Sequence, residues 1–353
     1  MPSRLSRVGT DVHRRIRVQT RQPGVAQHLD RCSLLQAHGR EYPLAIAVGR
    51  GDSAKEQDPM RVVVTGAGGR LGRTVVGRLR EQGIAVIAVD KIPLQGFDAR
   101  ALTVDLCDLG HVYSALAGAE AVIHLGAIPA PVGFPPEVVY GNNILSQFNV
   151  FEAAATLGIR RVVSASSVSA LGFPWQHRWS EPLYVPIDEK HPLLPQDAYG
   201  LSKANGAEIA AGYCRRGAGS AASLRFATIL EVTGYRQFIA GVRADPGAYA
   251  HLLWSYVDQR DAAEACLPAL TAPFEGHHAC FITAGDTASE LPTDELLDRY
   301  YPQVPRRSGR RLARWSLLEG TQAATVLGYH ARYTWQAVLD NTPEQEEAME
   351  AGP

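Results

Sequence analysis

The sequence has no apolar run of the ~18–20 residues that a membrane-spanning helix requires. Its five cysteines are scattered, with no Cys-x-x-Cys pair and no companion histidine spacing, so we expect neither a metal site nor a disulfide framework. The formal net charge of −1 gives no overall field that would attract nucleic acid or an anionic membrane. These absences predict a cytoplasmic protein that binds no metal, nucleic acid or membrane.

Of its 353 residues, 46% are apolar and 20% charged, which is typical of a globular protein. Residues 1–59 differ, because they are rich in arginine, lack an apolar period and end in a polar run. A targeting segment, a basic arm and a dispensable extension are the three interpretations. A secretory signal is disfavoured because no apolar core of about 7–15 residues follows the arginines. We therefore predict that 1–59 is a poorly ordered extension.

From Met60 onward, short apolar runs alternate with helical patterns. The runs predict strands at 61–65, 84–89, 102–104, 121–125, 161–164 and 223–226. Strands that are apolar on both faces indicate a parallel sheet covered by helices on both sides, a doubly wound, Rossmann-like α/β fold. The His277–His278 pair beside Gly276 is assigned to a surface loop. The predicted division is a dinucleotide-binding domain at 60–225 that also receives 256–285, a small substrate-binding portion at 226–255 and 286–340, and a tail at 341–353.

A glycine-rich turn follows the first of these strands. Gly66, Gly69 and Gly72 have a G-x-x-G-x-x-G spacing between a β-branched strand and an amphipathic helix, as a pyrophosphate-binding turn requires. Asp90 ends the next strand, about 20 residues further on, where a carboxylate binds ribose hydroxyls and repels a 2′-phosphate. This predicts NAD rather than NADP, although Arg70 or Lys91 is able to reach such a phosphate.

A second motif lies much further along the chain. Tyr199 and Lys203 stand at i and i+4, on one face of a helix predicted to begin near Ala198. The unperturbed pKa of a tyrosine hydroxyl is about 10, too high for a base at neutral pH. An adjacent ammonium and a positive nicotinamide ring both favour the phenolate. Taken alone, this spacing is common and favours an ordinary surface pair, with a general base at Tyr199 as the alternative.

Together with the glycine turn, this pair resembles the extended short-chain dehydrogenase/reductase family, of the NAD-dependent epimerase/dehydratase type. The resemblance covers about 61–335 and includes an acidic turn at Val104–Leu106 that implies an adenine contact. His124–Ala127 resembles the strand end that lines the nicotinamide ribose. Asn143 falls on the family's long helix, and 163–172 resembles the strand that delivers the catalytic serine, which implies Ser167.

The motifs and the resemblance together define the predicted site. The catalytic set is Ser167, Tyr199, Lys203 and Asn143. The predicted cofactor contacts are Gly66, Gly69, Arg70, Leu71, Gly72, Asp90, Lys91, Asp105, Leu106, Leu125, Gly126, Ala127, Asn143, Tyr199 and Lys203. The resemblance implies that Tyr199 takes a proton from the substrate hydroxyl, Ser167 holds the oxyanion, and Lys203 binds the nicotinamide ribose.

The resemblance also narrows the reaction. Ser167-Val168-Ser169 lacks the acids that the family's dehydratases carry here, which disfavours dehydration. We predict an NAD-dependent oxidoreductase acting at a secondary hydroxyl or keto carbon of a sugar or sugar-acid-like substrate. A nucleotide-sugar 4-epimerase that retains its NAD, and a non-catalytic nucleotide-binding protein, are the alternatives. The helices near 143–157 and 198–215 correspond to the family's dimer interface, which implies a homodimer.

Overall fold

The computed structural model describes residues 35–37, 40–42, 60–97, 99–309 and 312–340. The chain forms two compact units, 1–53 and 54–353. In the first unit, β1 (Leu35–Ala37) pairs with β2 (Arg40–Tyr42) in an antiparallel register. The rest of the predicted extension 1–59, and the predicted tail 341–353, lie outside the described residues.

The second unit is built on a parallel sheet. Its strands are β3 (Arg61–Thr65), β4 (Ala85–Asp90), β5 (Arg100–Thr103), β6 (Ala121–His124), β7 (Arg161–Ser167), β8 (Ser220–Phe226), β9 (Thr228–Leu230), β10 (Tyr256–Asp258) and β11 (His277–Ile282). Seven of them form one sheet in the order β11-β8-β7-β6-β3-β4-β5, and β9 pairs with β10 separately. The order reverses between β3 and β6, which is where ligands bind in doubly wound folds.

The predicted doubly wound fold and its six strands are confirmed, with ends that differ by at most three residues. The assignment of His277 and His278 to a surface loop is wrong, because they begin edge strand β11, which pairs with β8. A polar histidine pair at the start of a strand hides the apolar pattern that marks the other strands. The His277 ring also bonds to a side chain on β8, a partner 54 residues away that local sequence does not reveal.

Helices connect the strands and cover both faces of the sheet. They are α1 (Arg70–Glu81), α2 (Leu109–Leu116), α3 (Pro136–Thr156), α4 (Ala198–Arg215), α5 (Val232–Ala244), α6 (Gln259–Glu264), α7 (Cys266–Thr271), α8 (Thr293–Tyr300) and α9 (Trp335–Asp340). Short 3-10 turns span Val168–Leu171 and Pro246–Leu252. Within these described ranges, no helix has the length and apolar content needed to cross a bilayer.

The core lies in two layers, one on each face of the sheet. On one face, Val63, Val122 and Val162 pack against apolar residues of α2, α3 and α4. On the other, Val62 and Val64 pack with α1 and with the later segments of the chain. Burying a side chain of this size contributes about 1.5–3 kcal/mol, so both faces must be covered for the sheet to be stable. This arrangement leaves the carboxyl ends of the strands as the place for a site.

Candidate active site

The glycine turn joins β3 to α1 and brings backbone against backbone. Gly66 has a φ of +69°, and a Cβ added there would lie 2.7 Å from the Gly126 nitrogen. A Cβ on Gly72 would lie 2.2 Å from the Gly66 carbonyl oxygen. Gly69 caps α1 without a side-chain hydrogen bond, so the N–H groups of the first turn have no side-chain acceptor there. A pyrophosphate fits this helix end, because small residues let it approach and free N–H groups bind it.

Asp90 has a second role beside the one predicted. It lies at the end of β4, and its Oδ2 accepts a hydrogen bond from the Gly68 N–H at 2.9 Å. The carboxylate therefore fixes the glycine turn itself, while Oδ1 accepts the Ile92 N–H at 3.4 Å and has a further lone pair to face a ribose. The Arg70 side chain is 81% exposed and lies 3.5 Å from Glu231, and Lys91 is also exposed. Both cations border the turn without occupying it.

The adenine side of the predicted cofactor site is formed by the segment after β5. The Asp105 carboxylate accepts the Cys107 N–H at 2.9 Å, which holds this segment as a turn. Leu106 packs so closely on Gly126 that a Cβ on the glycine would lie 2.5 Å from its Cδ1. Leu125 and Ala127, on either side of Gly126, are half-buried at the end of β6. The structure thus brings the predicted cofactor contacts that follow β3, β4, β5 and β6 to the carboxyl end of the sheet.

Tyr199 and Ser167 meet at the end of β7. Asp197 caps α4 by accepting the Tyr199 and Gly200 N–H groups, both at 2.9 Å, and this fixes the tyrosine in the first turn. The Ser167 hydroxyl donates to Ser169 Oγ at 3.0 Å and lies near enough to the Tyr199 hydroxyl to act on its pKa. Gly200 packs on the 3-10 turn that follows Ser167, where a Cβ would lie 2.6 Å from the Ser169 carbonyl oxygen.

Lys203 and Asn143 lie one layer deeper. The Lys203 ammonium donates to the Ala165 carbonyl at 2.8 Å and lies 5.6 Å from the centre of the Tyr199 ring. The Asn143 amide donates to the Ile128 carbonyl at 3.0 Å and to Ser202 Oγ at 3.2 Å. Its oxygen accepts the Ile128 N–H at 2.8 Å. Asn143 and Lys203 both line a small cavity. The Asn143 side chain makes its hydrogen bonds to Ile128 and Ser202.

Burial dominates the electrostatics of this cluster. It raises the pKa of Tyr199 to about 12, although the hydrogen bond from Ser167 acts in the opposite direction. It lowers the pKa of Lys203 to about 8. The neighbouring ammonium alone does not bring the phenol into catalytic range, so the predicted lowering of its pKa depends on the positive charge of a bound nicotinamide. Burial and the nearby Lys203 lower the pKa of His124 to about 3, which leaves that imidazole neutral at physiological pH.

Other charged and polar groups lie away from this cluster. A separate cavity of about 700 Å³ is lined by residues that include Thr283, Arg307 and Glu319, and by no residue of the predicted site. Arg307 pairs with Asp188 at 2.8 Å, and Arg306 with two aspartates of α8. These pairs give both arginines carboxylate partners.

Comparison with known proteins connects this arrangement to a family. Residues 62–280 match the model of the NAD dependent epimerase/dehydratase family. Uronate dehydrogenase of Pseudomonas putida is 34% identical over 159 residues, which are 44% of this chain and 56% of that protein. An NAD-dependent glucose-6-phosphate dehydrogenase of Haloferax volcanii is 31% identical over 156 residues, or 41% of this chain and 59% of that protein. The chain thus spans little more than half the length of these relatives.

A solved structure agrees in fold. The crystal structure of a short-chain dehydrogenase/reductase superfamily protein from Agrobacterium tumefaciens with bound NAD is 24% identical. It covers 83% of this chain and 100% of its own, with a TM-score of 0.62. At that identity the likeness establishes the fold, and the family model supplies the assignment. The chain belongs to the NAD dependent epimerase/dehydratase family.

Proposed function

We propose that this protein is an NAD-dependent oxidoreductase that removes a hydride from a hydroxyl-bearing carbon of a sugar acid. The observation that carries the proposal is the meeting of Ser167 and Tyr199 at the carboxyl end of β7, with Lys203 behind them. The glycine turn lies at the same carboxyl end of the sheet, where the strand order reverses between the paired strands β3 and β6. A phenol with a serine partner is suited to proton transfer at an alcohol, which is the step that hydride loss requires.

The proposed mechanism gives a role to each of the four predicted catalytic residues. The Tyr199 phenolate accepts the proton of the substrate hydroxyl. Ser167 donates a hydrogen bond to the substrate oxygen and keeps the carbon facing the cofactor. Lys203 holds the ribose and favours the phenolate, and Asn143 positions the segment that contains Ile128. When bound, NAD supplies the hydride acceptor, and the protein contributes binding and orientation.

The choice of NAD rests on the groups around the glycine turn. Gly66, Gly69 and Gly72 leave room for a pyrophosphate at the start of α1, and Asp90 presents a carboxylate beside it. A 2′-phosphate at this position would meet that negative charge. The exposed Arg70 is partly neutralised by Glu231 and so offers a weaker counter-charge. We therefore expect NAD to bind more tightly than NADP.

The proposed substrate class follows from the relatives. The uronate dehydrogenase and the glucose-6-phosphate dehydrogenase both have names that describe oxidation of a sugar with an anionic group. A hexuronic acid is the first candidate because the uronate dehydrogenase is the more similar of the two.

The test is a panel of hexuronic acids, aldoses, sugar phosphates and nucleotide sugars, each incubated with NAD while NADH absorbance is recorded. Oxidation of a sugar acid with stoichiometric NADH release supports the proposal. Conversion of a nucleotide sugar without free NADH would instead identify an epimerase, which retains its cofactor. Turnover of no member, with NAD still bound, would favour a nucleotide-binding protein without catalysis. Tyr199→Phe is the matched control, expected to lose about 10²–10⁴ in rate while NAD affinity stays near that of the parent.

Assembly and location form part of the same proposal. Helices α3 and α4 expose Leu145, Phe148 and Leu201, which are 42–47% exposed, and such apolar groups on adjacent helices fit an isologous contact. We expect a homodimer joined through these helices. The described cysteines Cys107, Cys214, Cys266 and Cys280 are free thiols, which suits the reducing cytoplasm.

A further inference from the structure

A row of polar side chains crosses the sheet beneath the candidate site. Thr65 on β3, His124 on β6, Ser164 on β7 and Ser223 on β8 are neighbours in register, so their side chains lie on the same face. Each is at most 3% exposed. Strands covered by helices on both faces are normally apolar at such positions. Four buried polar side chains, aligned on four adjacent strands, therefore require an explanation.

Hydrogen bonds continue this row to the edge of the sheet. Thr65 Oγ1 lies 2.8 Å from His124 Nδ1 at one end. Ser164 Oγ lies 3.3 Å from Ser223 Oγ, and Ser223 Oγ lies 2.9 Å from Nε2 of His277. His277 is half-buried on edge strand β11 and is the first member with access to solvent. The serines and this histidine form a connected set from the centre of the sheet to its margin.

A cavity of about 10 Å³ separates the row from Lys203. Its lining includes His124, Ser164, Ser166, Lys203 and Ser223. Ser166 is 7% exposed, and its hydroxyl has no hydrogen-bond partner among the described residues. A space of roughly this size holds one water when several polar groups surround it. One water would satisfy Ser166 and join the lysine to the serines.

Three other polar side chains of the cavity lining already have hydrogen-bond partners. Gln147 donates to the Gly206 carbonyl at 3.2 Å, Ser202 donates to the Tyr199 carbonyl at 2.7 Å, and Asn143 is the third. Asn143 also lines the cavity, but its amide nitrogen and oxygen bond to Ile128, and the nitrogen also to Ser202. The connected hydroxyls therefore lead toward His277 rather than toward α3. Three groups face His277: Arg225 on β8, Arg215 on α4 and His278 on β11. With burial they lower the pKa of His277 to about 4, so its ring is neutral and able to accept at one nitrogen while donating from the other.

We propose that one buried water, Ser164, Ser223 and His277 form a proton path from Lys203 to solvent at the sheet edge. The inference rests on the proposed oxidation, in which two electrons and a proton leave as hydride and a second proton goes to Tyr199. Lys203 gives a proton to the water and takes up the one that Tyr199 releases. Each hydroxyl along the row accepts one proton and donates another, and His277 passes one to solvent. The net result is one proton released per substrate oxidised.

A crystal structure of the full chain without substrate tests the water. We expect ordered density within about 3.2 Å of Lys203 Nζ, Ser166 Oγ and one of the row serines. An empty cavity, at a resolution where other buried waters are clear, would overturn the path. This readout needs no active substrate, so it remains decisive if the sugar panel shows that the proposed oxidation is wrong.

Kinetic measurements test whether the row transfers protons. Ser223→Ala removes the central hydroxyl, and His277→Phe removes the outlet at the edge, where folding is easier to retain. We expect either change to lower kcat by about tenfold, less than the ~10²–10⁴ of a group that takes the substrate proton directly, and to raise the solvent isotope effect. His278→Asn is the matched control, because its Nε2 bonds to the Glu275 carbonyl at 3.0 Å and not to the row. It should keep the parental rate.

A small proton carrier in the buffer distinguishes proton transfer along the row from a purely structural role of its residues. Imidazole in the buffer should restore turnover in His277→Gly, since it can occupy the vacated outlet, and it should leave Ser223→Ala slow. Parental kcat and isotope effect in both the Ser223 and His277 variants, with NAD affinity unchanged, would show that the proton leaves through the substrate cleft instead. A uniform loss of NAD affinity and thermal stability would assign the row a purely structural role.

Discussion

Gly72→Ala is a single-methyl change at the tightest contact of the cofactor turn. The new Cβ would lie 2.2 Å from the Gly66 carbonyl oxygen and 2.8 Å from Ala67 Cα, both of them backbone atoms. Neither atom can move aside as a flexible side chain would, so α1 must shift by roughly 1 Å, a displacement that can cost about 10²-fold in turnover. Overpacking of this kind costs about 1–3 kcal/mol of the free energy of unfolding.

The matched control is Gly77→Ala, on the exposed face of the same helix, where an added Cβ has no atom within 4 Å. There the methyl improves helix propensity by about 0.8–1 kcal/mol. In thermal melting, the change in Tm should therefore have opposite signs in the two variants. Tm should fall for Gly72→Ala and rise by about 2–4 °C for Gly77→Ala. Titration with NAD should show affinity at least about tenfold weaker for Gly72→Ala alone, a loss of ~1.4 kcal/mol. Equal Tm and equal affinity in the two variants would refute the proposed close approach.

Three further outcomes are expected. Asp90→Asn keeps an oxygen for the Gly68 N–H but removes the charge, so the preference for NAD over NADP should narrow by about tenfold, ~1.4 kcal/mol, in titrations of both cofactors. The rate of oxidation should rise with pH until the Tyr199 phenol is deprotonated, since only the phenolate accepts a proton. Lys203→Met should move that rise to higher pH in a pH–rate profile, because a nearby ammonium favours the phenolate. Phe148→Glu should convert the dimer to a monomer in light scattering. A parent protein that is already monomeric at micromolar concentration would contradict the proposed dimer interface.

The parts of the fold that sequence predicts are those in which local spacing carries the information. Gly66, Gly69 and Gly72 lie within seven residues between a strand and a helix, and Tyr199 and Lys203 within five. Strands β3, β4 and β6 are apolar on both faces, which marks them without knowledge of their partners.

The parts that sequence does not predict depend on partners far apart in the chain. His277 bonds to a serine 54 residues away, and Thr65 lies beside a histidine 59 residues away. Single polar residues in apolar runs give no sign that they align across four strands. The direction of the Tyr199 pKa shift was also beyond prediction, because burial in the folded protein exceeds the effect of the neighbouring lysine. Similarly, the second partner of Asp90 appears only once the turn has folded back onto it.

The glycines around the serine turn determine which parts of the site are free to move. Gly172 has a φ of +98°, and a Cβ there would lie 2.0 Å from the Leu194 carbonyl oxygen, while Gly200 presses on the same turn from α4. Backbone contacts on both sides clamp Ser167 and Tyr199 into one rigid body. Their spacing is therefore fixed by the fold rather than by the substrate. Differences in substrate preference between relatives should then arise outside this turn.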